Sequence, residues 1–121
     1  MKYVFLCLIF VINLPLLAQK SVQKGKASYY ADKFNGRKTA SGELFSNDSL
    51  TAAHPRYPFG TMIKVTNLAN KKSVVVRVND RGPHVKSRIV DLSKRAARAI
   101  DGIRAGIIDV KVELIRFPNG T

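Results

Sequence analysis

"VVVRVNDRGP", residues 74–83, decides how this sequence is read. Val74, Val76 and Val78 fall on one side of an extended chain and Val75 and Arg77 on the other, the spacing of a strand with one buried face. Asn79, Asp80, Arg81, Gly82 and Pro83 follow at once, so a strand that anchors a core ends in polar and turn-forming residues. Either these residues only reverse the chain, or the rigid strand end carries a chemical group.

Upstream, "GTMIKVTN" (60–67) and the turn-like "LANKK" precede this strand, and the two runs predict an antiparallel hairpin. Downstream, "RIVDL" (88–92) reads as another short strand. Ser93 then stands where a helix N-cap belongs, before "KRAARAI", with Gly102 near the helix end. In "IDVKVELI" (108–115), Ile108, Val110, Val112 and Leu114 face one way and Asp109, Lys111 and Glu113 the other, a clear strand. "KASYYA" (26–31) is the predicted first strand, and Asp32–Pro58 reads as a long polar, irregular stretch of the kind that carries function in compact domains. Five or six short strands with one short helix predict a mainly β fold, a small barrel or sandwich, without repeats or a second domain.

The start of the chain, "MKYVFLCLIFVINLPLLA" (1–18), has the parts of a secretory signal: Lys2, an apolar run from Tyr3 to Ile12, and a small-residue end at Ala18. Asn13 and Pro15 interrupt it before it reaches the roughly 20 apolar residues that a membrane span needs. The only cysteine, Cys7, lies inside this segment, so the mature chain is expected to hold no disulfide, cysteine-zinc site or cysteine nucleophile. With 21 basic residues against 8 acidic ones, the formal net charge is +13, which suits polyanionic partners. Export, the even spread of the basic residues and the lack of interleaved aromatic residues count against nucleic acid. The same charge also fits a surface that is merely soluble.

Few groups are left to carry chemistry. The two histidines, His54 and His84, have no metal-binding spacing, and neither a GxSxG elbow nor a phosphate-cradling glycine loop occurs. No metal or cofactor is expected. Glu43 follows "GRKTASG" (36–42), where the hydroxyls of Thr39 and Ser41 can bond a sugar or orient the acid, and Asp80 ends the valine strand. Glycosidic cleavage by proton transfer needs a protonated carboxyl for the leaving oxygen and a group to take a proton from the attacking hydroxyl. Two carboxyls in one cleft, with different surroundings, meet that need. Each residue also has a plain structural reading. Asp80 fits an ion pair with Arg77 or Arg81, or a turn cap; Glu43 fits a solvated loop; His54 fits a packed, hydrogen-bonded histidine; Asp91 fits a helix-start or strand-end residue bonding backbone amides; and His84 fits an exposed loop.

Together, "GKASYYADKFNGRKTASGELF", "LTAAHPRYPFGTMIKVTNLANKKSVVVRVNDRGPHVKSRIVDLS" and "GIIDVKVELI" resemble the rare lipoprotein A (RlpA) family of double-psi β-barrel proteins over about residues 25 to 115. The resemblance implies a six-stranded double-psi β-barrel with one or two short helices, and a groove that binds peptidoglycan glycan strands. It also implies endolytic lytic transglycosylase activity, which breaks the bond between N-acetylmuramic acid and N-acetylglucosamine without water and leaves a 1,6-anhydro end. Matched motif by motif, the family's acid in "SGE" falls on Glu43, its "AAH" histidine on His54 and its "NDRGP" aspartate on Asp80. The expected roles are Asp80 as general acid/base, Glu43 as second carboxylate and His54 as an orienting residue. Thr39, Ser41, Asn79, Arg81 and His84 are the expected glycan contacts. Expansins share this barrel and loosen polysaccharide without cutting it, so a non-catalytic wall-binding module is the alternative, and a hydrolase like the barrel-type endoglucanases is a third.

Family lipoproteins carry a cysteine directly after the signal, where this sequence has Gln19. The expectation is therefore an exported protein, periplasmic or secreted and not lipidated. It is expected to be monomeric, with a signal (1–18), a short leader (19–24), a barrel (25–116) and a tail (117–121).

Overall fold

The computed structural model describes residues 21–119, so the expected signal segment lies outside the described residues. Six strands follow one another along the chain: β1 (Val22–Tyr29), β2 (Thr51–Ala53), β3 (Met62–Asn67), β4 (Ser73–Asp80), β5 (Arg88–Leu92) and β6 (Ile108–Arg116). They close into a barrel in the order β1-β5-β2-β4-β3-β6. The expected hairpin is present, with Ile63 opposite Val76 and Val65 opposite Val74 in antiparallel register. The pairs β1/β5 and β2/β4 are parallel, which no hairpin can produce, and they bring residues distant in sequence to the same level of the barrel.

Alternation along β3, β4 and β6 puts Ile63, Val65, Val76, Val78, Val110 and Val112 inside, each fully buried. Val90 and Leu92 from β5 complete the wall, and a short helix α1 (Lys94–Ala99) adds Ala96 and Ala97 to the same core, with Ile100 just beyond its end. Burial of each of these valine, leucine and isoleucine side chains contributes about 1.5–3 kcal/mol. Ser93 caps α1 as expected, its hydroxyl accepting from the Ala96 amide. At the other end the left-handed residue is Asp101, with φ 57°, and not Gly102. The Gly102 amide donates to the Ala97 carbonyl at 2.8 Å and the Asp101 amide to Arg98 at 3.1 Å, the bonding of a Schellman ending. An ion pair to Lys72 at 2.6 Å helps to hold Asp101 there.

Two stretches differ from expectation. β1 begins at Val22, not Lys26, because Val22–Ala27 pair residue by residue with the strongly alternating β6. Gly25 allows this course: a Cβ there would lie 2.7 Å from Ile89 Cγ2. The irregular 32–58 stretch contains β2, whose three residues are all buried between β4 and β5. A strand covered on both faces leaves no polar alternation to read.

Candidate active site

The end of β4 and the loop 36–45 form one polar assembly. Asp80 stands at the strand end, half-buried. Its Oδ2 accepts the Tyr30 hydroxyl at 2.6 Å, and its Oδ1 accepts the backbone amides of Ala40 at 2.8 Å and Arg81 at 2.9 Å. All three donors are neutral. Tyr30 has just left β1, and its ring stacks on Phe45 at 4.3 Å and meets Phe34 edge-on. Burial pushes the Tyr30 hydroxyl far above the ordinary tyrosine range, helped by its bond to Asp80 and by the charges of Asp80 and Asp91, so it remains a proton donor in that bond. A cavity of about 270 Å³ opens here, lined by Tyr30, Phe34, Arg37, Lys38, Thr39, Phe45 and Asp80.

Glu43 lies on the same loop but has different partners. Arg77 grips both carboxylate oxygens, at 3.0 and 3.1 Å, and the Asn79 side-chain amide donates at 2.7 Å. The Arg77 bonds and then the Asn79 bond hold the Glu43 carboxyl below the usual glutamate range, so it is ionised. Asn79 is buried and bridges strand to loop twice, its side-chain amide donating to Glu43 and its carbonyl accepting from the Ser41 amide at 3.3 Å. The loop is a tight turn: the Thr39 amide and hydroxyl both donate to the Glu43 carbonyl, and Gly42 takes a φ of 93°. The Thr39 and Ser41 hydroxyls are 2.8 Å apart and bonded to each other; Thr39 is buried and Ser41 exposed.

His54 follows β2, and its backbone amide donates to the Asp80 carbonyl at 3.1 Å. Its ring serves other partners. Nδ1 accepts from the amides of Arg56 and Tyr57, and Nε2 lies 2.9 Å from the Gln23 Oε1, so the Nε2–H tautomer fits both sides. The ring stacks on Tyr57 at 4.1 Å. Burial, then the charges of Arg56 and Arg81, depress its pKa to about 4, and the imidazole is neutral at pH 7. Arg81 fastens the same loop, donating to the carbonyls of Tyr57 at 2.8 Å and His54 at 3.3 Å while its guanidinium lies 4.0 Å above the Phe59 ring. His84 is exposed beyond the Gly82–Pro83 turn, where Gly82 has a φ of 120°.

The strand end thus gathers Asp80, Asn79, Glu43 and Thr39 on one side, and His54 and Arg81 in a supporting turn on the other. Tyr30 was not expected here, because "KASYYA" reads as strand throughout and only the barrel's closure carries its hydroxyl to Asp80. Asp91 stands near the end of β5, as its strand-end reading has it, but its partner is a side chain: Ser93 caps α1, while Asp91 Oδ1 accepts the Ser28 hydroxyl at 2.6 Å across the parallel β1/β5 pair. No group of three or more His, Cys, Asp or Glu side chains is placed to hold a metal among the described residues.

A closed, six-stranded barrel with crossed parallel pairs and a carboxylate at a strand end is the architecture of the double-psi β-barrel proteins. Within that class, residues 22–112 match the model of the lytic transglycolase family, and the chain belongs to that family. Its curated relatives include the probable endolytic peptidoglycan transglycosylase RlpA of Treponema pallidum, 54% identical over 91 residues, covering 75% of this chain and 29% of the relative. The endolytic peptidoglycan transglycosylase RlpA of Pasteurella multocida is 54% identical over 93 residues, covering 77% of this chain and 32% of the relative. The chain thus spans about a third of the length of the curated relatives it matches. Among solved structures, the apo expansin of Clavibacter michiganensis superposes with a TM-score of 0.63 at 26% identity, over 78% of this chain and 50% of that one. A Streptomyces papain inhibitor shares the fold alone, with a TM-score of 0.63 at 22% identity, over 78% of this chain and 94% of its own.

Proposed function

We propose that this barrel cuts peptidoglycan glycan strands as an endolytic lytic transglycosylase, outside the cytoplasm, after export to the periplasm or beyond. The observation that carries the reading is Asp80, held at a strand end beside a cavity by neutral donors only. Protonated Asp80 gives its proton to the oxygen between N-acetylmuramic acid and N-acetylglucosamine. The bond from C1 to that oxygen breaks, and N-acetylglucosamine leaves with a hydroxyl. The C6 hydroxyl oxygen of the muramic sugar then closes on C1, and its proton returns to the Asp80 carboxylate. One group serves as acid and then base, and no water enters.

The other residues support that step. Tyr30 fixes the orientation of Oδ2. Glu43, kept ionised by Arg77, fastens loop 36–45 to β4, and that loop presents the Ala40 amide to Asp80. His54 is a positioning residue: its neutral ring seats the 54–57 turn, and its backbone joins that turn to Asp80. Ser41, His84 and the rim of the cavity are the glycan contacts.

Cleavage of purified peptidoglycan in 18O-labelled water, read by mass spectrometry, tests the reaction. Anhydro-ended fragments without 18O are the expected product. Reducing ends carrying 18O would make the protein a hydrolase. The likeness to an expansin and the +13 charge favour a second reading, a wall-binding module that does not cut. That reading predicts no new ends, with salt-sensitive binding to walls that survives Asp80→Asn.

A further inference from the structure

A second cavity, of about 310 Å³, lies against the turn that follows His54, and its lining includes Gln23, Arg56, His84, Lys86, Arg88 and Ile89. Three of these side chains are cationic, and the lining includes no carboxylate. The charges are also uncommitted: Arg56 and Lys86 enter no ion pair among the described residues. Arg88 is held differently. Its Nε is enclosed without a hydrogen-bond partner, with Asp91 Oδ1 only at 3.7 Å. That Nε is closed to any ligand, so what Arg88 offers the cavity is its remaining guanidinium N–H groups. Val85 and Ile89 give the same cavity an apolar side, so it suits an organic anion better than a bare inorganic one.

The cavity is tied to Asp80 at two points. His54, in its wall, bonds the Asp80 carbonyl through its backbone amide, and Pro83, also in its wall, follows Asp80 by three residues. Both links place the wall of this cavity on segments joined to Asp80.

We propose that the cavity of Arg56, His84, Lys86 and Arg88 is a carboxylate-binding subsite that takes an anionic substituent of the glycan bound at Asp80. The proposal rests on the glycan-cutting reading for its ligand, but it is a statement about binding. The carboxylate comes from the lactyl group of muramic acid where the peptide has been removed, or from the stem peptide where it remains. Either one fits the guanidinium fork of Arg88 and the ammonium of Lys86.

The test measures binding in the Asp80→Asn background, so that turnover does not interfere. Four probes are titrated: a tetrasaccharide of alternating N-acetylglucosamine and N-acetylmuramic acid, its methyl ester, its peptide-bearing form, and chitotetraose, which has no carboxylate. Tighter binding of the free-acid or peptide-bearing probe, by about tenfold over the ester and chitotetraose, is expected. Arg56→Gln with Lys86→Gln should erase that preference while binding of chitotetraose stays unchanged. A charge-matched control, Lys71→Gln with Arg104→Gln, removes two exposed cations, one at the far end of β4 and one in the loop after α1, and should leave the preference intact. Whichever probe is preferred names the source of the carboxylate. Equal binding of all four probes, no binding of any, or equal loss in the control pair would overturn the subsite. Because binding is read without turnover, failure of the cutting reaction alone leaves this result standing.

Discussion

Glu43 and Asp80 are carboxylates attached to the same loop and the same strand end, and their partners differ in kind. Glu43 is gripped by a guanidinium and a buried amide, which fix its charge and give it the work of fastening loop 36–45 to β4. Asp80 is held by a phenol and two backbone amides, which set its direction without a cation, and it faces a cavity. A carboxylate locked to arginine is a poor proton carrier, because its neutral form forfeits the ion pair. The contrast supports the proposal that Glu43 has the structural task and Asp80 transfers the proton.

The largest effect is expected at Asp80. Asp80→Asn keeps size and hydrogen-bonding shape but cannot carry the proton, so kcat for anhydro-product release should fall about 1000-fold or more. Next in size is the pH response of His54. Its folded pKa of about 4 lies below the value of about 6.5 for an unfolded histidine, so the unfolded chain binds the proton more readily between those limits. Its contribution is complete above pH 6.5 and is lost as pH falls toward 4, by up to about 3 kcal/mol. Urea midpoints at pH 7 and pH 4.5 should show this drop in the native chain and a smaller one in His54→Gln. An equal drop in both would mean that the ring is not held neutral by its surroundings.

Tyr30→Phe removes one bond to Asp80 and leaves the ring stacked on Phe45. Steady-state kinetics should give a kcat about 10–100-fold lower with KM little changed, in line with loss of one hydrogen bond to a charged group. A change confined to KM would move Tyr30 from orienting Asp80 to holding substrate. The smallest effect is expected at the fastened acid: Glu43→Gln should cost about 1 kcal/mol of stability, since the pair with Arg77 is partly exposed, and should lower activity far less than Asp80→Asn. Its pKa is lowered on folding, so its contribution is present above the ordinary glutamate pKa and fades as pH falls through the folded value. Denaturation of Glu43→Gln and the native chain at pH 7 and pH 3 should therefore converge at the lower pH. A larger kinetic loss at Glu43 than at Asp80 would reverse the two roles.

The parts of the fold governed by alternation were legible before the structure. β3, β4, β5, β6 and the Ser93 cap of α1 all follow from the spacing of apolar residues and one hydroxyl. β2 was not, since three residues buried on both faces carry no alternation, and neither was the start of β1, where Gln23, Lys24 and Gly25 are ordered by β6. The site was legible where it lies within one motif: Asp80 stands out at the end of its valine strand. Its surroundings were not, because the contacts that define them span the barrel. Arg77 meets Glu43 across 34 positions and Tyr30 meets Asp80 across 50, distances that only the closure and parallel pairings of the barrel bring together. Likewise, the neutral state of His54 depends on its burial and on the nearby charges of Arg56 and Arg81, and no spacing of residues announces them.

The central claim is that Asp80 carries the proton. Release of anhydro-ended muropeptides from intact peptidoglycan, measured for the native chain and Asp80→Asn with matched melting temperatures, tests it most directly. The account predicts product from the native chain and at least a 1000-fold loss in the variant. Comparable anhydro product from Asp80→Asn would contradict it.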